Sequence, residues 1–164
     1  MGIIDTLRPV AFPQWNGYTC GPAALRYALL CYGDRVDGKR LALLGNTTQD
    51  EGTSFDGLNE AALEFGFRLE FKAYRDVTVA YLAMRETLHG GVPILMCVDY
   101  DHERAEYTHW IAAIRGTSRH VWVCDPARNE GEVLRKRTWR QLLRRLHWGL
   151  PDELRFEVYP VVPA

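Results

Sequence analysis

Apolar runs and periodic apolar positions predict helices in the first half of the chain. An almost unbroken apolar run follows Cys20 and predicts a helix, buried on most sides, from about Cys20 to Tyr32. Pro22 fits only the first turn of such a helix, and Gly33 is suited to end it. A short helix is predicted at 41–44. A second follows the polar loop at 47–58, with an N-cap at Thr53 or Ser54 and its end at Gly66, and a third begins about Val79 and ends before Gly90.

Strand patterns follow in the second half. Phe67, Leu69 and Phe71 alternate with charged residues, which predicts a half-buried strand. The later strands are predicted at 92–99, 108–115, 120–124 and 154–159, with a helix from about Thr138 to His147 between the last two. Helices first and antiparallel strands second predict an α+β fold, in which the helical N-terminal half packs on a C-terminal sheet.

Composition and charge narrow the classes of function. With 164 residues, 47% of them hydrophobic and 25% charged, the chain fits one globular domain, 1–164. The formal net charge of −1 gives no overall attraction to nucleic acid or to an anionic membrane. Neither a secretory signal nor a membrane-spanning run is present in the sequence, so a cytoplasmic protein is expected.

Cys20 is the cysteine whose position favours ionisation. It stands at the start of the predicted buried helix, where unpaired N–H groups and the helix dipole favour a thiolate. Gln14 precedes it by six residues, and a bend at Gly17 would return the amide to the sulfur. The amide and the Cys20 N–H could then form an oxyanion hole. The alternative is a buried structural thiol beside a surface glutamine.

The remaining cysteines have no C-x-x-C spacing and lie in apolar runs. Buried, reduced thiols explain them best, and two disulfides are the minority interpretation. These residues are Cys31, Cys97 and Cys124.

Two residues are suited to assist a cysteine nucleophile. His109 begins one apolar strand and Asp125 ends the next, and a turn around Gly116 connects the two strands. If the strands pair as a hairpin, the start of the first lies beside the end of the second, so the two side chains meet. An acidic group there would orient the imidazole and stabilise its protonated form. Taken singly, His109 is better explained as an interfacial histidine, and Asp125 with Pro126 as a turn that ends the strand.

These residues also carry a resemblance to a known family. Gln14, the segment TCGPAAL at 19–25, THW at 108–110 and DPA at 125–127 resemble the bacteriocin-processing, double-glycine leader peptidases, which are papain-like cysteine peptidases. GTS at 52–54, GL at 57–58, EAA at 60–62 and TW at 138–139 extend the similarity over most of the chain.

The resemblance implies a papain-like fold and four catalytic roles. Cys20 would be the nucleophile, His109 the general base and acid, Asp125 the orienting group and Gln14 an oxyanion donor. Transporter-linked members usually have an acidic residue at the position of Thr19 and a cysteine at that of Ala24. With no membrane segment before its end at Ala164, the chain resembles a stand-alone member, for which the double-glycine rule need not hold.

Three functions remain open at this point. The first is a cysteine peptidase acting through an acyl-enzyme thioester on a peptide or leader-type substrate, with no metal or organic cofactor. The second uses the same thioester as an acyltransferase or a non-peptide amidase. The third is a non-catalytic module that binds peptides or a protein partner, and the presence of all four catalytic residue types argues against it.

Other clusters suggest weaker hypotheses. Acidic residues and His102 in the loop 99–106 lack metal-ligand spacing, so a solvated loop is the better interpretation. The basic run at 135–145 is most simply the solvated face of the last helix, with the docking of an acidic partner as the alternative. Trp15 and Trp110 would either wall the cleft or pack in the core.

Overall fold

Helix α1 has the buried character that its apolar run predicts. The computed structural model describes residues 12–99, 108–128, 133–146 and 156–164. Every residue of α1 except Arg26 is buried. Within these ranges the helices are α1 (Cys20–Leu30), α2 (Gly38–Leu44), α3 (Phe55–Leu63), α4 (Val77–His89) and α5 (Trp139–Arg145).

Side-chain caps fix the starts of the other helices. Ser54 accepts a hydrogen bond from the Gly57 N–H at the start of α3, and Asp76 caps α4 in the same way. At α5, Thr138 and Gln141 form a reciprocal capping box. The start of α1 differs, because its N-cap residue Thr19 makes no side-chain capping bond.

The described strands form one antiparallel system. They are β1 (Phe67–Leu69), β2 (Lys72–Tyr74), β3 (Ile94–Asp99), β4 (Thr108–Gly116), β5 (His120–Cys124), β6 (Leu134–Thr138) and β7 (Phe156–Pro163). Their order is β1-β7-β3-β4-β5-β6, with β2 also paired to β7. All pairings are antiparallel.

Strand β4 separates two hydrophobic cores, because alternate side chains of a strand point to opposite faces. Trp110, Ala112 and Ile114 belong to the core that contains α1. Ile111 and Ala113 belong to the core formed with α4 and α5. The central strands are therefore covered by helices on both sides, and the start of β4 lies beside the start of α1.

Close backbone approach holds α2 against α3. A Cβ atom added to Gly57 would collide with the backbone carbonyl oxygen of Gly45, so only a glycine fits there without displacing one helix. This contact fixes the loop between α2 and α3, which includes Thr53.

Two parts of the sheet differ from the sequence-based prediction. The single strand predicted through Phe71 is divided into β1 and β2, and the Phe71 side chain is 55% exposed rather than inward. Strand β6 was not predicted, and the cations at 135–137 lie on this strand rather than on the last helix. Its polar sequence hides the strand, because β6 ends the order of the described strands and strands at a sheet edge commonly carry charged residues.

No helix in the described residues is both long and apolar enough to cross a membrane.

Candidate active site

The sulfur of Cys20 lies at the first turn of α1 in a nearly buried position. The side chain is 8% exposed. The backbone N–H groups of Trp110 and Gly21 donate hydrogen bonds to the sulfur, and His109 makes a side-chain hydrogen bond with it. The α1 N-terminus thus directs a donor at the sulfur.

His109 links this sulfur to a carboxylate. Nε2 of His109 lies 2.7 Å from Oδ1 of Asp125. Because Nε2 faces the carboxylate, Nδ1 is the ring nitrogen left for Cys20. The structure therefore brings the three predicted residues Cys20, His109 and Asp125 into one hydrogen-bonded series.

The β4–β5 hairpin accounts for this contact. Ala112 pairs with Cys124 in the register. Continuing that register places Asp125 opposite Ile111, two residues from His109 on the same strand. Diagonal neighbours on one face of a sheet are close enough for long side chains to touch.

The electrostatics of the site favour a charged pair. Burial alone would raise the pKa of the Cys20 thiol, but the hydrogen bond and charge of His109 outweigh it, and the pKa is lowered. Burial would likewise lower the pKa of His109, but its hydrogen bonds to Asp125 and Cys20 raise it above the ordinary value. Both shifts favour thiolate beside imidazolium.

Asp125 stays ionised although it is buried. Burial raises the pKa of its carboxyl group, but the hydrogen bond and charge of His109 outweigh this and hold the pKa well below its usual range. Two arginines add to the effect: Nη1 of Arg145 lies 3.5 Å from Oδ2, and Nε of Arg128 lies 3.7 Å from it. Oδ1 of Asp125 thus faces His109, and Oδ2 faces the two arginines.

Gln14 is tied to the same region through its backbone. Its N–H donates to the Pro126 carbonyl oxygen at 2.8 Å, next to Asp125. Its side-chain Nε2 donates to the Asn16 carbonyl oxygen at 2.9 Å. Oε1 is buried and has no hydrogen-bond partner among the described residues. The side-chain amide is thus held in the turn before α1, with one of its two N–H bonds engaged.

The loop between α2 and α3 packs against two residues that lie next to the catalytic positions, Trp110 and Gly21. Nε1 of Trp110 donates to the Thr53 carbonyl oxygen at 2.9 Å. A Cβ atom on Gly21 would lie 3.1 Å from Cβ of Thr53, so a glycine lets this loop pack against the start of α1. Trp110 is a core residue, 7% exposed, whereas Trp15 is 43% exposed.

A protein-family model described as the Peptidase_C39 like family matches residues 7–149. The chain belongs to this family. Its members are cysteine peptidases, so the chain is an enzyme of that class. A search of curated proteins finds no match.

Solved structures of C39 peptidase domains share the fold. The peptidase domain of Streptococcus ComA, a bi-functional ABC transporter, aligns with a TM-score of 0.62 at 20% identity, covering 93% of this chain and 96% of that one. A double glycine motif protease from an AMS/PCAT transporter, solved with its leader peptide, gives 0.62 at 17% identity, covering 94% and 91%. A C39-like peptidase from Bacillus anthracis gives 0.58 at 13%, covering 96% of each. These likenesses confirm the predicted α+β, papain-like fold.

The structure also bears on three other hypotheses for this C39-like peptidase: a metal site, disulfide bonds and a bend at Gly17. The side chains of the loop 99–106 lie outside the described residues, and the described part contains no group of three metal-ligating side chains. All four cysteines are free thiols. Gly17 has open space around it and no positive φ, so the bend there does not require glycine.

Sequence reasoning did not assign Arg128 and Arg145 to the site. Both arginines contact Asp125, and Arg145 belongs to the basic run that was interpreted as a solvated helix face. A signal was available, since Arg128 follows Asp125 by three residues in the turn after β5. The backbone donor of Trp110 could not be found from a sequence, because every residue except proline has an N–H.

Proposed function

We propose that this C39-like peptidase cleaves peptide bonds with Cys20 as nucleophile, His109 as general base and acid, and Asp125 as the group that orients His109. The hydrogen-bonded series from Cys20 through His109 to Asp125 is the single observation that supports the proposal. The lowered pKa of Cys20 and the raised pKa of His109 agree with it.

The first half of the reaction forms a thioester. Sγ of Cys20 attacks the carbonyl carbon of the scissile peptide bond, and the carbonyl oxygen takes up the negative charge. The Cys20 N–H and the second N–H of the Gln14 amide would stabilise this oxyanion. The C–N bond then breaks as His109 gives its proton to the leaving amine.

The second half releases the acyl group. A water molecule attacks the thioester carbon while His109 takes one of its protons. The C–S bond breaks, the carboxylic acid leaves, and the proton returns the Cys20–His109 pair to its starting state. Asp125 keeps the Nδ1 edge of the ring directed at the sulfur and stabilises the imidazolium in both halves.

The proposed substrate is a peptide or leader-type segment. The AMS/PCAT protease of the same fold was solved with a leader peptide, which supports a peptide ligand for this chain as well. The proposal includes a cytoplasmic location, where the four cysteines would stay reduced.

Cleavage of a peptide library by the wild type and by Cys20→Ala tests this function. Mass spectrometry should find new termini with the wild type and none with C20A, while Cys31→Ser, which changes a thiol of raised pKa, cleaves as before. Cleavage that persists in C20A would contradict the proposal. Adding an amine to the mixture separates hydrolysis from acyl transfer, because transfer would yield amide products in place of acids.

A further inference from the structure

The turn before α1 contains an asparagine that is followed directly by a glycine. Asn16 is half-buried, Gly17 is exposed, and both lie a few residues before Cys20. A Cβ atom added to Gly17 would have no neighbouring atom within 4 Å. Neither a side chain of its own nor a described neighbour on that side therefore crowds the peptide bond between the two residues.

The side-chain amide of Asn16 is held over this peptide bond. Oδ1 of Asn16 accepts a hydrogen bond from the Tyr18 N–H at 3.2 Å, which makes an Asx turn. The backbone nitrogen of Gly17 lies within the ring that this hydrogen bond closes, so the side-chain carbon Cγ is brought towards that nitrogen. The same hydrogen bond draws electron density away from Cγ and makes it more electrophilic.

We propose that Asn16 is a site of spontaneous deamidation. The backbone nitrogen of Gly17 attacks Cγ of Asn16 and loses its proton, the bond from Cγ to the side-chain nitrogen breaks, and ammonia leaves. The product is a five-membered succinimide ring. Water then opens the ring, giving aspartate when it adds to Cγ and isoaspartate when it adds to the backbone carbonyl carbon. Water is the only co-reactant that these steps require.

Isoaspartate at this position would disturb the oxyanion side of the site. The Asn16 carbonyl oxygen accepts the hydrogen bond of Gln14 Nε2 at 2.9 Å, while the Gln14 N–H is bound to Pro126. In isoaspartate the main chain passes through Cβ and Cγ and gains one atom, and this carbonyl becomes a free carboxylate. The Gln14 amide then loses its position. This consequence rests on the proposed role of Gln14, and loss of one oxyanion donor lowers kcat by about 10²–10³.

Ageing of the folded protein tests the site. The wild type and a synthetic peptide of residues 12–19 are kept at mildly alkaline pH for several days, and peptide mass spectrometry follows the conversion of Asn16. Because the Asx turn holds the reacting groups together, the folded wild type should convert at least as fast as the peptide. Enzymatic methylation of isoaspartate distinguishes it from aspartate.

Gly17→Ala is the matched control. The space at Gly17 is open and its φ is not positive, so alanine fits the fold, but its methyl group hinders the approach of the nitrogen to Cγ. Far-ultraviolet circular dichroism establishes that G17A is folded, and it should retain Asn16 over the same period. Asn46 is an internal reference, because the β-branched Thr47 follows it, and should also stay unmodified.

The peptide-library assay is repeated before and after ageing. Fresh wild type and G17A should cleave alike, and aged wild type should lose activity in proportion to its isoaspartate fraction while aged G17A keeps it. Unchanged cleavage by wild type rich in isoaspartate would overturn the link to Gln14.

The mass spectra test the modification independently of catalysis. An intact Asn16 in the folded wild type while the peptide converts would overturn the proposal, and so would equal conversion in G17A. Fresh wild type that cleaves no peptide would contradict the proposed function instead, and conversion of Asn16 would still be measured.

Discussion

Nε2 of His109 and Oδ1 of Asp125 lie 2.7 Å apart, and the two side chains expose only 3% and 4% of their surface. A carboxylate so buried would ordinarily become neutral, but the cations around it keep it ionised. The pair can therefore stabilise a positive charge on His109, and with it a thiolate on Cys20.

Replacing Asp125 by Asn should make Cys20 less acidic. The amide can accept the same hydrogen bond but carries no charge, so protonated His109 loses its stabilising anion. A charge-assisted hydrogen bond contributes about 1.5–3 kcal/mol, which corresponds to about one to two pKa units. The measurement is the pH at which iodoacetamide labelling of Cys20 reaches half its maximum. Asp34→Asn, at an exposed position, is the control and should leave that pH unchanged.

The same substitution should have a pH-dependent effect on stability. The pKa of Asp125 is lowered in the folded protein, so its contribution to stability is complete above the unfolded-state pKa of about 4 and is lost as the pH falls towards the folded value. Near pH 7 we expect D125N to be less stable by about 1–3 kcal/mol. Urea unfolding at a series of pH values should show this difference narrowing below about pH 4. A difference that widens in acid would contradict the sign of the shift.

Cys20 should react before Cys31 and Cys124. Burial raises the pKa of Cys31 to about 12 and raises that of Cys124 well above its ordinary value. At pH 7 the thiolate fraction of Cys31 is then about 10⁻⁵. Peptide mass spectrometry after brief alkylation of the folded protein should find Cys20 labelled and Cys31 and Cys124 intact. As a control, the same thiols should react at similar rates when the protein is unfolded in guanidinium chloride. Early labelling of Cys124 in the folded protein would contradict its burial.

Gly57→Ala should destabilise the helical half of the molecule. The added methyl group would meet the backbone carbonyl oxygen of Gly45, which cannot rotate away as a side chain can. Overpacking of this kind typically costs about 1–3 kcal/mol of unfolding free energy. Gly17→Ala is the control, since that position is open and its φ is not positive, and it should change stability by less than about 0.5 kcal/mol. Chemical unfolding of the two variants measures the difference.

The parts of the fold that sequence predicted well are those with strong apolar patterns. The run after Cys20 predicted a buried helix, and the two apolar strands joined near Gly116 predicted the hairpin. The hairpin by itself is sufficient to bring His109 to Asp125. The start of α1 and the β4–β5 hairpin thus encode most of the candidate site locally.

The remaining parts depend on tertiary contacts. Strand β6 has the sequence LRKRT, in which no apolar alternation marks a strand, and pairing with β5 defines it. β1 and β2 pair with β7 in one continuous register. The break between them falls where the Glu70 N–H donates to the Pro160 carbonyl oxygen, because Pro160 has no N–H to complete the ladder. The approach of Arg145 to Asp125 depends on how α5 packs over the sheet, which no spacing in the sequence reveals.

The most direct test of the central claim is the rate of Cys20 alkylation against pH in the wild type and in His109→Ala. A free thiol titrates near pH 8.5, whereas one paired with a histidine can titrate several units lower. His120→Ala, at the far end of the same hairpin, is the control and should behave as the wild type. We expect fast labelling at pH 6 in the wild type and its loss in H109A. Slow labelling that rises only near pH 8.5 in both proteins would contradict the thiolate–imidazolium pair.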